Sequence, residues 1–172
     1  MTAKRLTLAS LFMGLTILLS ASFLSIPVPG GHFYFNGIII FLTALLFKPK
    51  EAVIIAGFGS FLGDFFFYPE PMFVTLITHS LQVLSIALFV KGRGLPAPKQ
   101  LVMPALLVGA IIDNIGYFLG RAFVYRTMAY AIIKIPFDLV ATIMAISIVY
   151  YIYYHTSFLR LFKQFLGIRA KS

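Results

Sequence analysis

The chain has 172 residues, 60% hydrophobic and only 11% charged, with 14 Lys and Arg against 5 Asp and Glu, a net charge of +9. A soluble domain is about 45–50% apolar and about 25% charged, so this composition excludes a soluble globular protein and describes an all-α integral membrane protein. At roughly 20 apolar residues per spanning helix, about five or six spans use up the length. No soluble catalytic or nucleotide-binding domain fits, no cofactor or metal is expected on the chain, and any ATP must be used by a partner. There is no cysteine, which removes disulfides and thiolate metal sites.

The N-terminal MTAKR and the apolar run after it resemble a signal peptide. A small-residue cleavage site is missing and further spans follow, so this is read as a retained first helix, residues 6–26. The proline- and glycine-rich, aromatic segment PVPGGHFYFN (27–36) cannot be regular helix. The second span, 37–47, is short, which requires either a loop dipping into the membrane or a helix shielded by protein. A Lys-Pro-Lys turn leads into span three, 52–67, and a Tyr-Pro-Glu-Pro turn into span four, 72–90. A polar linker at 91–99 precedes span five, 101–119. A loop at 121–127 precedes span six, 128–153, and a basic tail covers 154–172. The whole chain is thus one transmembrane domain of six helices.

The charges give an orientation. With the N-terminus inside, Lys4, Arg5, Lys48, Lys50, Lys91, Arg93, Lys99, Arg160, Lys163, Arg169 and Lys171 are all inner, which is 11 of the 14 basic residues. Excess Lys and Arg mark the cytoplasmic side, so both termini are expected in the cytoplasm, and the net charge reflects topology rather than nucleic-acid binding. The tail FLRLFKQFLGIRAKS has apolar residues at near-helical spacing among basic ones and is expected to lie along the inner surface.

Polar residues inside the spans gather in their outer halves. Asp64 ends span three. His79 and Gln82 lie three apart on span four, and Asp113, Asn114, Tyr117 and Arg121 form a stripe along span five. Lys134 and Asp138 lie four apart on span six. Ionisable groups in lipid are costly and usually functional. This distribution fits a pocket that opens outward and closes toward the membrane centre, with aromatic residues to stack on a flat ring. Plain structural explanations compete. Lys134 and Asp138 can neutralise each other, Asp64 can cap or pair with Arg121 or Arg126, and His79 can be a packed interface residue. The phenylalanines 65–67 and tyrosines 150, 151, 153 and 154 read as lipid or interface contacts.

GFGSFLGD (57–64) is not a phosphate-binding loop, because no strand precedes it and no Lys-Ser/Thr follows. Its glycines read as close-packing positions. The Ser10–Gly14 step in span one and Ala141 with Ala145 in span six also let helices approach closely, within the chain or against a partner.

The segments IPVPGGHFYFNG (26–37) and GSFLGDFFFYPEPMFVTLITHSLQ (59–82), with the size, six spans and structured first outer loop, resemble the substrate-binding S component of an energy-coupling factor (ECF) vitamin transporter. They are similar to a subgroup linked to pyridoxine, hydroxymethylpyrimidine or related vitamins. The resemblance implies a prokaryotic cell-membrane protein that is not an enzyme. It would bind a vitamin from outside with high affinity, dock on a transmembrane coupling subunit carrying two cytoplasmic ATPases, and topple to release ligand inside. It places the pocket at His32, Tyr34 and Asn36, then His79 and Gln82, then Asp113, Asn114 and Tyr117, then Lys134 and Asp138. Asp64 joins them from the polar pattern. The family's AxxxA docking motif on helix one is matched here by Ser10 and Gly14, with Ala9 adjacent. Cobalamin, pantothenate and riboflavin are alternative ligands. Two other classes compete. One is an intramembrane hydrolase built on Ser60, Asp64 and His79, which has no recognisable catalytic spacing. The other is a self-sufficient carrier, for which no inverted repeat is evident.

Overall fold

The computed structural model describes residues 2–21, 24–29 and 31–168. Helix α1 (Ala3–Ser20) is followed by an antiparallel hairpin of β1 (Ile26–Val28) and β2 (Gly31–Phe33). In it Ile26 lies opposite Phe33 and Val28 opposite Gly31. Helix α2 spans Asn36–Leu46. Helix α3 (Pro49–Ala52) starts with proline at its first turn, where no backbone donor is lost, and runs through a π-helical turn (Val53–Phe58) into α4 (Gly59–Phe67). Helix α5 is Met72–Val90. Helix α6 (Lys99–Gly120) continues as a π-helical turn over Arg121–Tyr125. Helices α7 (Met128–His155) and α8 (Phe158–Leu166) complete the chain.

Several expected boundaries move. The first helix ends at Ser20 rather than running to residue 26, because the proline-rich segment pairs as a hairpin, which adds two short strands to the all-helical expectation. The expected loop at 121–127 stays helical through Tyr125. Tyr153 is not a lipid contact: its hydroxyl accepts from the Ala97 N–H, and the Tyr154 hydroxyl donates to the Ala97 carbonyl. The two tyrosines tie the 91–99 linker to α7. Arg169 and Lys171 lie outside the described residues.

Four helical segments are long and apolar enough to cross a membrane among the described residues: Ala3–Ser20, Met72–Val90, Lys99–Tyr125 and Met128–His155. Helix α2 is different. Its 11 residues rise roughly 16 Å, about half of a hydrocarbon layer ~30 Å thick. It is shielded by protein, since every residue from Ile39 to Leu46 is buried, and it packs on α1, α5 and α7. The buried core gathers around it, with Phe41, Leu45 and Phe47 joined by Phe12, Val83, Ile86 and Val149.

Glycines set the distances between neighbours. A Cβ on Gly63 would sit 2.6 Å from Ser20 Cβ, and one on Gly59 would sit 3.1 Å from Thr16 Cβ, so α1 and α4 touch nearly backbone to backbone. The α5–α6 seam repeats this at Gly109 against Ile86, Gly116 against Thr78 and Gly120 against Val74. At the opposite end from the hairpin, Arg5 donates to both carboxylate oxygens of Glu51, at 2.6 and 3.0 Å. Burial opposes ionisation of Glu51, but the Arg5 guanidinium and the Lys48 N–H hold its carboxyl below the usual range. Helix α8 folds back so that Phe162 stacks edge-on against Phe12 and Phe47, while Arg160 and Leu161 stay exposed.

Gly63→Val should lower the melting temperature in detergent, with an overpacking cost of about 1–3 kcal/mol. Gly14→Ala should not lower it, because a Cβ there meets nothing within 4 Å and alanine is the better helix former. Equal melting temperatures for Gly63→Val and wild type would contradict this packing.

Candidate functional site

Above the short α2, at the hairpin end of the bundle, lies a cavity of about 380 Å³. Ligand sites run about 300–1,000 Å³, so this one is sized for a single small molecule. Its floor is Gln82, His79, Asp113, Asn114 and Phe41, and its middle holds Asp64, Tyr117, Arg121, Lys134 and Asp138. Its mouth is formed by His32, Tyr34, Tyr68, Arg126 and Tyr130. Every one of the sequence-selected positions lines this cavity: His32, Tyr34, Asn36, Asp64, His79, Gln82, Asp113, Asn114, Tyr117, Lys134 and Asp138.

A hydrogen-bonded chain runs along the α4–α5–α6 wall. The Thr75 hydroxyl donates to Asp64 Oδ2 at 2.5 Å, and the Tyr117 hydroxyl donates to Thr75 Oγ1 at 2.9 Å. His79 Nε2 lies 3.0 Å from the Tyr117 hydroxyl, and on the other side of the ring Nδ1 lies 2.7 Å from Gln82 Oε1. Asp64 therefore does not pair with Arg121 or Arg126. Spacing alone did not reveal Thr75 as its partner, because a threonine in an apolar run gives no signal of its own.

The opposite wall carries the cations. Arg121 Nη1 lies 2.5 Å from Asp138 Oδ2, whereas Lys134 Nζ is 3.4 Å from Asp138 Oδ1 and donates to the His32 carbonyl at 2.8 Å. Asp138 is thus held first by Arg121 on the neighbouring helix, and Lys134 ties the hairpin down onto α7. The π-helical turn at Arg121–Tyr125 keeps Arg121 facing inward at the point where a loop was expected. Asn36 donates to Ser20 Oγ at 3.1 Å, and the Asn114 amide donates to Thr142 Oγ1 at 3.0 Å and to the Ala110 carbonyl at 2.9 Å.

At the mouth, Arg126 pairs with Glu70 and hydrogen-bonds the Tyr68 hydroxyl, which itself donates to Glu70 at 2.9 Å. This joins the α4–α5 turn to the α6–α7 turn across the opening. Burial, with the Asp64 carboxylate near it, raises the Tyr34 phenol above its ordinary value. It stays protonated and offers a donor to the cavity. The sequence did not single out the mouth residues Tyr125, Arg126 and Tyr130, since aromatic and basic residues in an expected outer loop or at the start of a span look like interface anchors.

Two other features complete the placement. Ser60 is fully buried, its hydroxyl has no hydrogen-bond partner among the described residues, and it does not line the cavity. On α1, Ser10 is exposed and Gly14 faces open space, but Ala9 is buried in the core and so is not part of that outward face.

A family model described as "ECF-type riboflavin transporter, S component" matches residues 1–162, and the chain belongs to that family. This is a family of transport components, not enzymes. A solved structure described as "Structure and mechanism of the S component of a bacterial ECF transporter" superposes with a TM-score of 0.71 at 18% identity, covering 95% of this chain and 97% of that one. The two share a fold. No curated protein sequence matches significantly.

Thr75→Val keeps the side-chain shape but strips Asp64 and Tyr117 of their shared partner. It should cost about 1–3 kcal/mol of stability, and Thr75→Ser should restore most of it. A denaturation midpoint unchanged in Thr75→Val would remove the hydroxyl from the chain.

Proposed function

From its place in the S-component family, we propose that this membrane protein captures one small water-soluble vitamin with a flat ring in the cavity above α2. The observation that carries this is the cavity itself: about 380 Å³, aromatic at its mouth, with hydrogen-bonding groups at its floor. That volume suits a heterocycle of the size of pyridoxine, hydroxymethylpyrimidine or riboflavin and is small for cobalamin. The sequence segments favour pyridoxine or hydroxymethylpyrimidine, and the family description names riboflavin.

The remaining parts of the proposal follow from the same reading. The chain crosses the cell membrane six times, α2 and α3–α4 supplying the second and third crossings, with both termini in the cytoplasm. The hairpin end then faces outward, in keeping with the basic residues at the other end. The chain binds no cofactor itself. It docks through the Ser10–Gly14 face of α1 on a transmembrane coupling subunit whose two ATPases use ATP, and it topples to release the vitamin inside.

Equilibrium binding to the purified chain, without ATPase partners, tests capture. The panel is riboflavin, pyridoxine, hydroxymethylpyrimidine, thiamine, pantothenate and cobalamin. Tight binding of one flat-ring vitamin at one per chain is expected, and binding of none would overturn the proposal. Gly14→Leu should cut co-purification with the coupling subunit at least about tenfold, a loss of ~1.4 kcal/mol, and leave vitamin affinity intact. Equal loss of both would assign Gly14 to internal packing instead.

A further inference from the structure

Of the three carboxylates in the cavity wall, two are already committed. Asp64 accepts from Thr75 at 2.5 Å, and Asp138 is paired with Arg121 at 2.5 Å with Lys134 beyond it. Asp113 is not. Its Oδ1 is buried and has no hydrogen-bond partner among the described residues. His79 Nδ1 lies 3.3 Å from it, beyond the roughly 2.7–2.9 Å of a charge-assisted N–H···O bond. That nitrogen has a closer acceptor in Gln82 Oε1 at 2.7 Å, and it carries at most one hydrogen. The adjacent Asn114 amide donates to Thr142 and Ala110 instead. A buried carboxylate oxygen left without a donor is unfavourable. This one lines the cavity floor, so a donor arriving there meets an acceptor that gives up only the long His79 contact.

We propose that Asp113 is a specificity-determining residue that selects vitamins presenting a ring N–H or amino donor to the cavity floor, accepted by Oδ1. This rests on the capture reading above and adds a direction to it. The donor edge of the ring goes down toward Asp113, His79 and Gln82. The rest of the ligand points up toward Lys134, Arg121 and the aromatic mouth. A site built around an acceptor rejects an analogue lacking the donor far more strongly than an apolar pocket rejects a lost methyl group, because its own polar group is then left unpaired.

The test uses the full-length protein and Asp113→Asn, which keeps the volume and removes the charge. Each probe is a pair: riboflavin and riboflavin methylated at its imide nitrogen; pyridoxine and pyridoxine methylated at its ring nitrogen; hydroxymethylpyrimidine and its analogue without the amino group. Wild type should bind the donor-bearing member of its preferred pair about 10- to 100-fold more tightly than the analogue. Asp113→Asn should lose most of that ratio, and the four-way comparison separates the hydrogen bond from any steric effect of the methyl group. The same ratio in both proteins would overturn the assignment. So would a wild type that does not discriminate, a result that needs no variant to fold. Wild type that binds none of the three vitamins would also overturn it, and binding of another vitamin would then leave capture itself standing.

Discussion

The structure depends on one short helix. Helix α2 has 11 residues and cannot cross a membrane unaided. Its exposed backbone ends would be intolerable in hydrocarbon, so the long helices must enclose it. They do: α1, α5 and α7 pack on it, and its residues from Ile39 on are buried. The height that α2 does not fill becomes the cavity. Asn36, Gly37 and Phe41 at its N-terminal end form part of the cavity lining, and the hairpin closes over the top.

That geometry dictates where polar groups can sit. Below the level of the cavity the helices meet through small residues, with Gly59 against Thr16 and Gly109 against Ile86. At cavity level the same helices carry Asp64, Thr75, His79, Tyr117, Arg121, Lys134 and Asp138. Nearly all of these are satisfied by each other across helices. These bonds fix the rotamers of the wall before any ligand arrives, which lowers the ordering cost of binding. Acceptors concentrate on the α4–α5–α6 side and cations on the α6–α7 side, so the cavity has electrical polarity as well as shape.

Much of this was legible in the sequence. Period and length located α5 and α7 to within two residues, since an apolar run bounded by Lys, Gly and Pro has few alternatives, but carried the first helix six residues too far. The cavity positions were legible because polar residues in lipid-facing sequence are conspicuous, and the resemblance added the hairpin residues. Three things were not legible. The hairpin depends on pairing Ile26–Val28 with Gly31–Phe33, a contact that periodicity cannot register over three residues. Helicity beyond Gly120 depends on Arg121 reaching Asp138 on α7, which is tertiary information. Which carboxylate keeps a free oxygen depends on individual distances, such as 2.5 Å from Thr75 to Asp64 against 3.3 Å from His79 to Asp113.

The central claim is that the space above α2 is where the vitamin is held. Ala141 of α7 lines that space with a small side chain. The most direct measurement is vitamin affinity of Ala141→Phe, which fills the cavity and replaces no polar side chain, alongside its melting temperature. The account predicts loss of binding by at least about 100-fold, ~2.7 kcal/mol, with the fold retained. Wild-type affinity in a folded Ala141→Phe protein would contradict it.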